Sequence, residues 1–318
     1  MTQPVDSPLY PAVEPESETW LEVTGGHRIY VQQSGNLQGH PLLLLHGGPG
    51  SAATAMQRRF FDPARYRIVQ FDQRGCGRSE PSGALRHNHA AALLDDIEAL
   101  RRHLGIERWR VSGGSWGATL AVCYAARSRA HVDSLLLRAL FLGGASDLGW
   151  FFGGAGSLLP EAWQAFLQVV PRQRRRQLQA WLWRVFAGDD EDLQVRVSGA
   201  WRNWERALQG EPPMSEPVGQ ADVCRYRIQA HYLSRRCFLG ERRVLGDIAR
   251  LHGLPVIWLH GRQDLVCRPA NSWRAWRTLS GSRLVWVDGA GHDPFAPSMV
   301  AAIRRHADAW LDELVPPA

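Results

Sequence analysis

Short apolar runs alternate with longer, helix-like segments along the first part of the chain. Two runs in which apolar and polar residues alternate, 20–24 and 28–32, flank a glycine pair and predict a β-hairpin. A segment at 90–104 places leucine and isoleucine at spacings of four, three and four, which predicts an amphipathic helix. Uninterrupted apolar runs are typical of strands buried on both faces of a sheet. The strand-like, mainly apolar runs lie at residues 41–45, 67–71, 109–111 and 134–138.

This alternation stops for about a hundred residues and then resumes. Residues 144–245 are rich in tryptophan and in helical periodicity, and they contain no strand-like run. They therefore predict a helical cap inserted into the sheet domain. Strand-like runs return at 254–259 and 283–287, and a last helix is predicted at 297–314.

The pattern as a whole predicts an α/β protein with a parallel, doubly wound sheet, because its strands alternate with helices. The core is assigned to residues 1–143 and 246–318, and the cap to residues 144–245. Within the core, residues 1–18 have four prolines and several acids, which favours an extended, partly disordered N-terminal arm.

Composition narrows the class of protein. The 318-residue chain carries a net charge of +6, and its basic residues are all arginines. The densest basic run, 172–176, is short and has no companion motif, so a solvated helix face is predicted and no nucleic-acid partner. No apolar run approaches the roughly 20 residues that span a bilayer, so no membrane partner is predicted.

The cysteines and the N-terminus bear on the compartment. The five cysteines are scattered without a Cys-x-x-Cys pair, which argues against a disulfide framework or a zinc site and favours a reducing cytoplasm. The first residues lack the basic and apolar regions of a signal peptide. A cytoplasmic protein is predicted.

The segment Gly113-Gly-Ser-Trp-Gly117 is the first candidate for chemistry. A strand-like run precedes it and a helix-compatible run follows it, which is the context of a nucleophile elbow. Ser115 is the candidate nucleophile, although a glycine-rich turn from strand to helix occurs in other parallel α/β proteins. The N–H of Trp116, at the predicted helix N-terminus, is placed to bind an oxyanion.

A serine hydroxyl needs a base, and the base needs an acid that orients it. In hydrolases with this elbow the three follow in the order serine, acid, histidine, each just past a strand. Asp264 and His292 satisfy that order and are the predicted acid and base. Asp288 and Asp293 are rival acids, but they are too close to His292 along the chain to orient it from a neighbouring strand.

The second oxyanion donor is expected in the loop after an earlier strand. His46-Gly-Gly-Pro-Gly50 follows the run at 41–45, and Gly48 is the predicted donor. A tight turn without a role in ligand binding is the other interpretation.

Four motifs together resemble the proline iminopeptidase family of α/β hydrolases. They are residues 46–50, 72–79, 113–117 and 289–292. The resemblance implies a mostly parallel, eight-stranded sheet with an inserted helical cap. It implies a cytosolic serine peptidase, without metal or cofactor, that releases N-terminal proline from short peptides through an acyl-enzyme. It also implies that residues 72–79 are architectural and support the oxyanion loop.

The resemblance further implies which residues hold the substrate. Glu205 lies in a segment that matches the family's carboxylate for the substrate amine, and Gln229 stands where a second glutamate is expected. Gly47 and Phe141 are the remaining predicted substrate-binding residues. Because Gln229 carries no charge, the substrate stays open.

Two alternatives remain at this point. The same triad with a changed cap predicts a hydrolase or acyltransferase for another small ester or amide. A non-catalytic binding protein on the same fold is the third interpretation, and the unbroken triad argues against it. The sequence predicts no oligomeric state.

Overall fold

The strand-like runs form a single sheet in the computed structural model, which describes residues 9–312. The sheet has eight strands in the order β1-β2-β4-β3-β5-β6-β7-β8. The strands are β1 (Pro15–Val23), β2 (His27–Gly35), β3 (His40–Leu45), β4 (Tyr66–Phe71), β5 (Trp109–Gly114), β6 (Val132–Arg138), β7 (Val256–Gly261) and β8 (Arg283–Val287).

The first two strands form the predicted hairpin, and β2 also pairs antiparallel with β4. All other pairings in the sheet are parallel. The predicted mostly parallel, eight-stranded sheet is therefore confirmed. Because parallel strands end at the same edge, the loops after β3, β5, β7 and β8 lie side by side.

Eleven α-helices are found within residues 9–312. They are α1 (Ala55–Arg58), α2 (Ala90–His103), α3 (Trp116–Arg127), α4 (Ala145–Phe151), α5 (Pro160–Gln168), α6 (Leu178–Ala187), α7 (Glu191–Leu208), α8 (Gln220–Leu233), α9 (Gly240–Ala249), α10 (Pro269–Thr278) and α11 (Pro297–Asp312). None of these helices is both long and apolar enough to cross a bilayer.

The segment between β6 and β7 is helical, with α4 to α9 and no strand. The predicted cap boundary after residue 245 falls inside α9. That helix packs on α3 and α10, which flank the sheet, and its Val244 and Ile248 are fully buried. Helix α9 therefore packs against helices of the core, and the predicted boundary between residues 245 and 246 divides this one helix.

Apolar residues cover both faces of the sheet. Leu43 and Leu45 of β3 point into the larger cluster, which includes α2, α3 and the inserted helices. Leu42 and Leu44 point into a second cluster with α11 and the segment before β4. This alternation along one buried strand fixes the sheet between two layers of helices.

The N-terminal arm is shorter than predicted. Strand β1 begins at Pro15, so residues 15–18 belong to the sheet, and Glu18 pairs with Gln32 of β2. Before the strand, Tyr10 donates from its backbone N–H to Arg59 and from its hydroxyl to Asp308. Residues 1–8 of the predicted arm lie outside the described residues.

Candidate active site

Ser115 lies at the sharp turn between β5 and α3. Its φ of 57° and ψ of −124° are rare for a residue with a side chain and store strain at the turn. A Cβ at Gly113 would lie 2.6 Å from the carbonyl carbon of Gly117, so the turn accepts only glycine there. The Ser115 N–H donates to the carbonyl oxygen of Arg138 in β6 at 2.9 Å, which ties the turn to the neighbouring strand.

Asp264 and His292 meet across the ends of β7 and β8. The distance between Asp264 Oδ2 and His292 Nδ1 is 2.8 Å. The other carboxylate oxygen accepts hydrogen bonds from the backbone N–H groups of Val266, at 2.9 Å, and Cys267, at 2.8 Å. The carboxylate is thus held from both sides, and it presents one oxygen to the imidazole.

A second histidine supports the same carboxylate. His260 Nε2 lies 3.5 Å from Asp264 Oδ2, and its ring also bonds Ser272 and the carbonyl oxygen of Cys267. Burial by itself raises the pKa of Asp264, but the charge of His292 and the hydrogen bonds from His260 and His292 outweigh it. The net result is a pKa well below the usual range of an aspartate, so Asp264 is ionised at neutral pH.

The hydroxyl of Ser115 faces Cys267. The distance from Ser115 Oγ to Cys267 Sγ is 3.6 Å, and no hydrogen bond joins Ser115 to His292 within residues 9–312. Ser115 and His292 nevertheless line the same cavity. Hydrogen bonds between nucleophile and base are often long in a site without substrate and shorten when it binds.

The loop after β3 lies directly against the elbow. A Cβ at Gly47 would be 3.3 Å from the carbonyl oxygen of Gly114 and 3.6 Å from Ser115 Cβ. Gly48 has a φ of +114°, a conformation that side chains rarely allow. Trp116 is the first residue of α3, where backbone N–H groups have no acceptor within the helix. Gly47 therefore packs against Ser115, and the predicted donors Gly48 and Trp116 directly follow these two residues along the chain.

The segment at 72–79 braces this loop. Gln73 donates from its backbone N–H to His46 Nε2 and from its side chain to the carbonyl oxygen of His46, both at 3.0 Å. Gln73 also accepts from the Trp116 indole at 2.9 Å. One side chain thus links the two halves of the predicted oxyanion site, which fits the architectural role expected of this segment.

The predicted substrate residues share one cavity of about 700 Å³ between the sheet edge and the inserted helices. Its lining includes Gly47, Gly48, Ser115, Phe141, Glu205, Gln229 and His292. Asp264 lies behind His292 and is buried. Within residues 9–312, no cluster of three or more His, Cys, Asp or Glu residues could hold a metal ion.

Glu205 and Gln229 are hydrogen-bonded to each other at the cap side of the cavity. The Gln229 amide donates to Glu205 Oε1 at 2.6 Å, and the other carboxylate oxygen accepts from Arg225 and Tyr226, each at 3.0 Å. Gln229 Oε1 is buried and has no hydrogen-bond partner among the described residues. Gln229 itself lines the cavity, so this unpartnered oxygen lies close to its wall.

Arg225 and Tyr226 were missed by the sequence analysis. They lie four and three residues before Gln229 on α8, which places all three within one helical turn of each other. That spacing could have identified them from the sequence, because residues three and four positions before Gln229 lie on the same face of a helix.

Comparisons with known proteins agree with this geometry. Residues 40–297 match the family model described as alpha/beta hydrolase fold. The chain is 38% identical over 309 residues to proline iminopeptidase of Xanthomonas citri, covering 95% of this chain and 99% of the relative. It is 36% identical to proline iminopeptidase of Arabidopsis thaliana, covering 93% and 80%.

Solved structures that resemble this chain support the fold alone. A 2-hydroxy-6-oxo-6-phenylhexa-2,4-dienoate hydrolase from Rhodococcus sp. strain RHA1 aligns with a TM-score of 0.58 at 21% identity, covering 95% of this chain and 98% of its own. A bacterial membrane phospholipase A aligns with a TM-score of 0.60 at 20% identity, covering 95% and 86%. These low identities carry no argument about substrate.

Proposed function

This chain belongs to the proline iminopeptidase family of α/β hydrolases, and we propose that it is a serine aminopeptidase that releases N-terminal proline from short peptides. One observation supports the proposal most strongly. His292, which Asp264 orients, lines one cavity together with Ser115 of the strained elbow and Glu205.

The proposed reaction passes through an acyl-enzyme. Ser115 attacks the carbonyl carbon of the first residue while His292 takes the hydroxyl proton, and Asp264 stabilises the resulting imidazolium. The N–H groups of Gly48 and Trp116 bind the oxyanion. His292 then protonates the leaving amine, which departs with the rest of the peptide. Water repeats the sequence on the ester and releases the free amino acid.

The proposed reaction requires that the cap side of the cavity hold a single residue before the cleaved bond. Glu205 and the unpartnered side-chain oxygen of Gln229 are the proposed acceptors for the N–H groups of a terminal secondary amine. Phe141, which is 9% exposed, supplies apolar surface for a pyrrolidine ring. The five free cysteines fit a reducing cytoplasm as the place of action.

A fluorophosphonate probe tests the nucleophile directly. We expect the probe to label the protein and Ser115→Ala to lose both labelling and proline release from prolyl arylamides, with kcat falling about a millionfold. Ser112→Ala is the matched control, because Ser112 lines the same cavity but bonds the carbonyl oxygen of Leu136. Labelling that survives in Ser115→Ala would refute the assignment.

A hydrolase or acyltransferase for another small ester or amide is the second candidate. The neutral amide of Gln229 favours it, because a lost charge-assisted bond weakens ammonium binding by roughly ten- to a hundredfold. A panel of short acyl esters beside prolyl substrates separates the two. Good proline release with no ester cleavage removes the second candidate, and the reverse result removes the first.

A further inference from the structure

Arg225 lies beside Glu205 in the proposed amine site. Its guanidinium is 3.0 Å from Glu205 Oε2, and both side chains line the same cavity as Ser115. Burial by itself lowers the pKa of Arg225, but the nearby Glu205 outweighs it and the pKa lies above its usual value, so Arg225 is a cation. A positive charge therefore already accompanies the carboxylate that the proposed function gives to the substrate.

The carboxylate of Glu205 has few free positions left. It accepts from the Gln229 amide at 2.6 Å, from the Tyr226 hydroxyl at 3.0 Å and from Arg225. Burial and the nearby Glu205 raise the pKa of Tyr226 well above its usual value, so this phenol remains a donor. Of the three donors, Arg225 alone is a cation, as the substrate's ammonium is.

We propose that Arg225 is a specificity-determining residue, which occupies at Glu205 the position of the substrate's ammonium and must be displaced before a charged N-terminus can bind. The proposal rests on the proposed function, because it concerns the same acyl-side site. It implies that the site penalises cationic N-terminal groups relative to uncharged acyl groups of the same shape.

The surroundings of Arg225 permit this displacement. Its side chain is 39% exposed, whereas that of Glu205 is 11% exposed, so the guanidinium lies at the open side of the pair. Its Nε is buried and has no hydrogen-bond partner among the described residues, so displacement breaks no hydrogen bond at that atom. Asp222, three residues earlier on α8, lines the same cavity, and its carboxylate, which already bonds Arg202 at 3.3 Å, is a second anionic neighbour for a displaced guanidinium.

The backbone of Arg225 is fixed, in contrast to its side chain. A Cβ at Gly50 would press on the carbonyl oxygen of Arg225, so the oxyanion loop and α8 are in close contact here. The proposed displacement is therefore a change of side-chain rotamer, and it gives up the contact between the guanidinium and the Tyr226 ring, whose centroid is 5.3 Å away.

Calorimetric binding of two small amides tests the proposal without requiring turnover. Prolinamide carries the ammonium near pH 6.5, and cyclopentanecarboxamide has the same ring without the charge. We expect Arg225→Met to lower the Kd of prolinamide about fivefold, the effect of one partly exposed ion pair, and to change the Kd of cyclopentanecarboxamide less than about twofold.

Two further variants serve as controls. Arg225→Lys keeps a cation, so the prolinamide Kd should stay close to that of the unchanged protein. Arg227→Met removes an arginine from the same helix that does not line the cavity and should leave both Kd values unchanged.

Weaker prolinamide binding in Arg225→Met would overturn the proposal, because it would mean that Arg225 holds Glu205 in place for the substrate. Equal changes for both amides would overturn it as well. Failure of the unchanged protein to release proline from prolyl arylamides is a different outcome. It contradicts the aminopeptidase, whereas the two Kd values still decide the role of Arg225.

Discussion

The acid of the proposed triad is identified by where its carboxylate lies relative to the imidazole of His292, and not by its distance from His292 along the sequence. Asp264 is 28 positions from His292, yet its carboxylate lies 2.8 Å from the imidazole and is fixed by backbone donors on its other oxygen. Asp288 is only four positions away, but its side chain is 93% exposed and faces Arg262 at 3.8 Å. The other rival, Asp293, accepts from the N–H of Phe295.

Replacing Asp264 by asparagine should reduce kcat about ten-thousandfold, because an amide cannot hold the imidazole in the required tautomer or stabilise the imidazolium. The measurement is steady-state cleavage of a prolyl arylamide by a variant whose folding is verified by circular dichroism. Asp288→Asn is the matched control and should retain full activity. A large loss in Asp288→Asn with an active Asp264→Asn would reverse the assignment.

The loop after β3, which carries the proposed oxyanion donor Gly48, is in contact with α8. Gly50 has a φ of +94°, and a Cβ there would also lie 3.4 Å from the backbone nitrogen of Gln229. The loop that carries Gly48 is therefore packed against the helix that carries Gln229 and Arg225. A side chain at Gly50 has to push the two elements apart.

Gly50→Ala should lower the free energy of unfolding by about 1–2 kcal/mol because of the positive φ. It should lower it further because the new Cβ would contact the carbonyl oxygen of Arg225. Gly26→Ala is the matched control, because Gly26 has a φ of +77° with open space around it. Urea unfolding of both variants measures the difference between their free energies of unfolding. A KM that rises in Gly50→Ala alone would show that the contact also affects substrate binding. Equal losses would show that the contact costs nothing.

The sequence predicted the elements better than the contacts between them. The hairpin, the strands and the order serine, acid, histidine follow from local periodicity and from motifs just past strand ends. The pairing of Arg225 with Glu205 joins two helices across 20 positions, and periodicity reports which face of a helix is buried but not what it meets. Residues 15–18 were predicted to belong to the arm because of the prolines and acids in this region. They form the start of an edge strand whose residues alternate between half-buried and exposed.

At the scale of the whole molecule, acid should weaken the fold through carboxylates that are paired in it. Glu98 of α2 bonds Arg101 at 2.6 Å, Arg102 at 3.0 Å and the Tyr124 hydroxyl of α3 at 3.1 Å. The hydrogen bond from Arg101, helped by Tyr124 and opposed by burial, lowers the pKa of Glu98 from 4.5 to about 2. Its contribution to stability is therefore present above pH 4.5 and is lost as the pH falls towards 2.

Glu98→Gln should lower the free energy of unfolding by about 1 kcal/mol at pH 7, and the difference should disappear near pH 2. Denaturant titrations of both proteins across this range measure it. Glu107→Gln, at an exposed position, should show no such dependence. A difference that persisted at pH 2 would mean that Glu98 acts through packing instead of charge.

The inserted helices leave the sheet after β6 and return to it at β7, and these two strands are direct neighbours, with Leu135 opposite Val256. A chimera could thus exchange this segment for one from another hydrolase while keeping the strand order and the three loops that carry the proposed triad. The graft would need a helix that brings a backbone carbonyl to Gly50. A replacement without this close approach would remove the cap's contact with the loop but keep the hydrogen bonds from Gln73 to His46, which hold the proposed oxyanion loop from the sheet side.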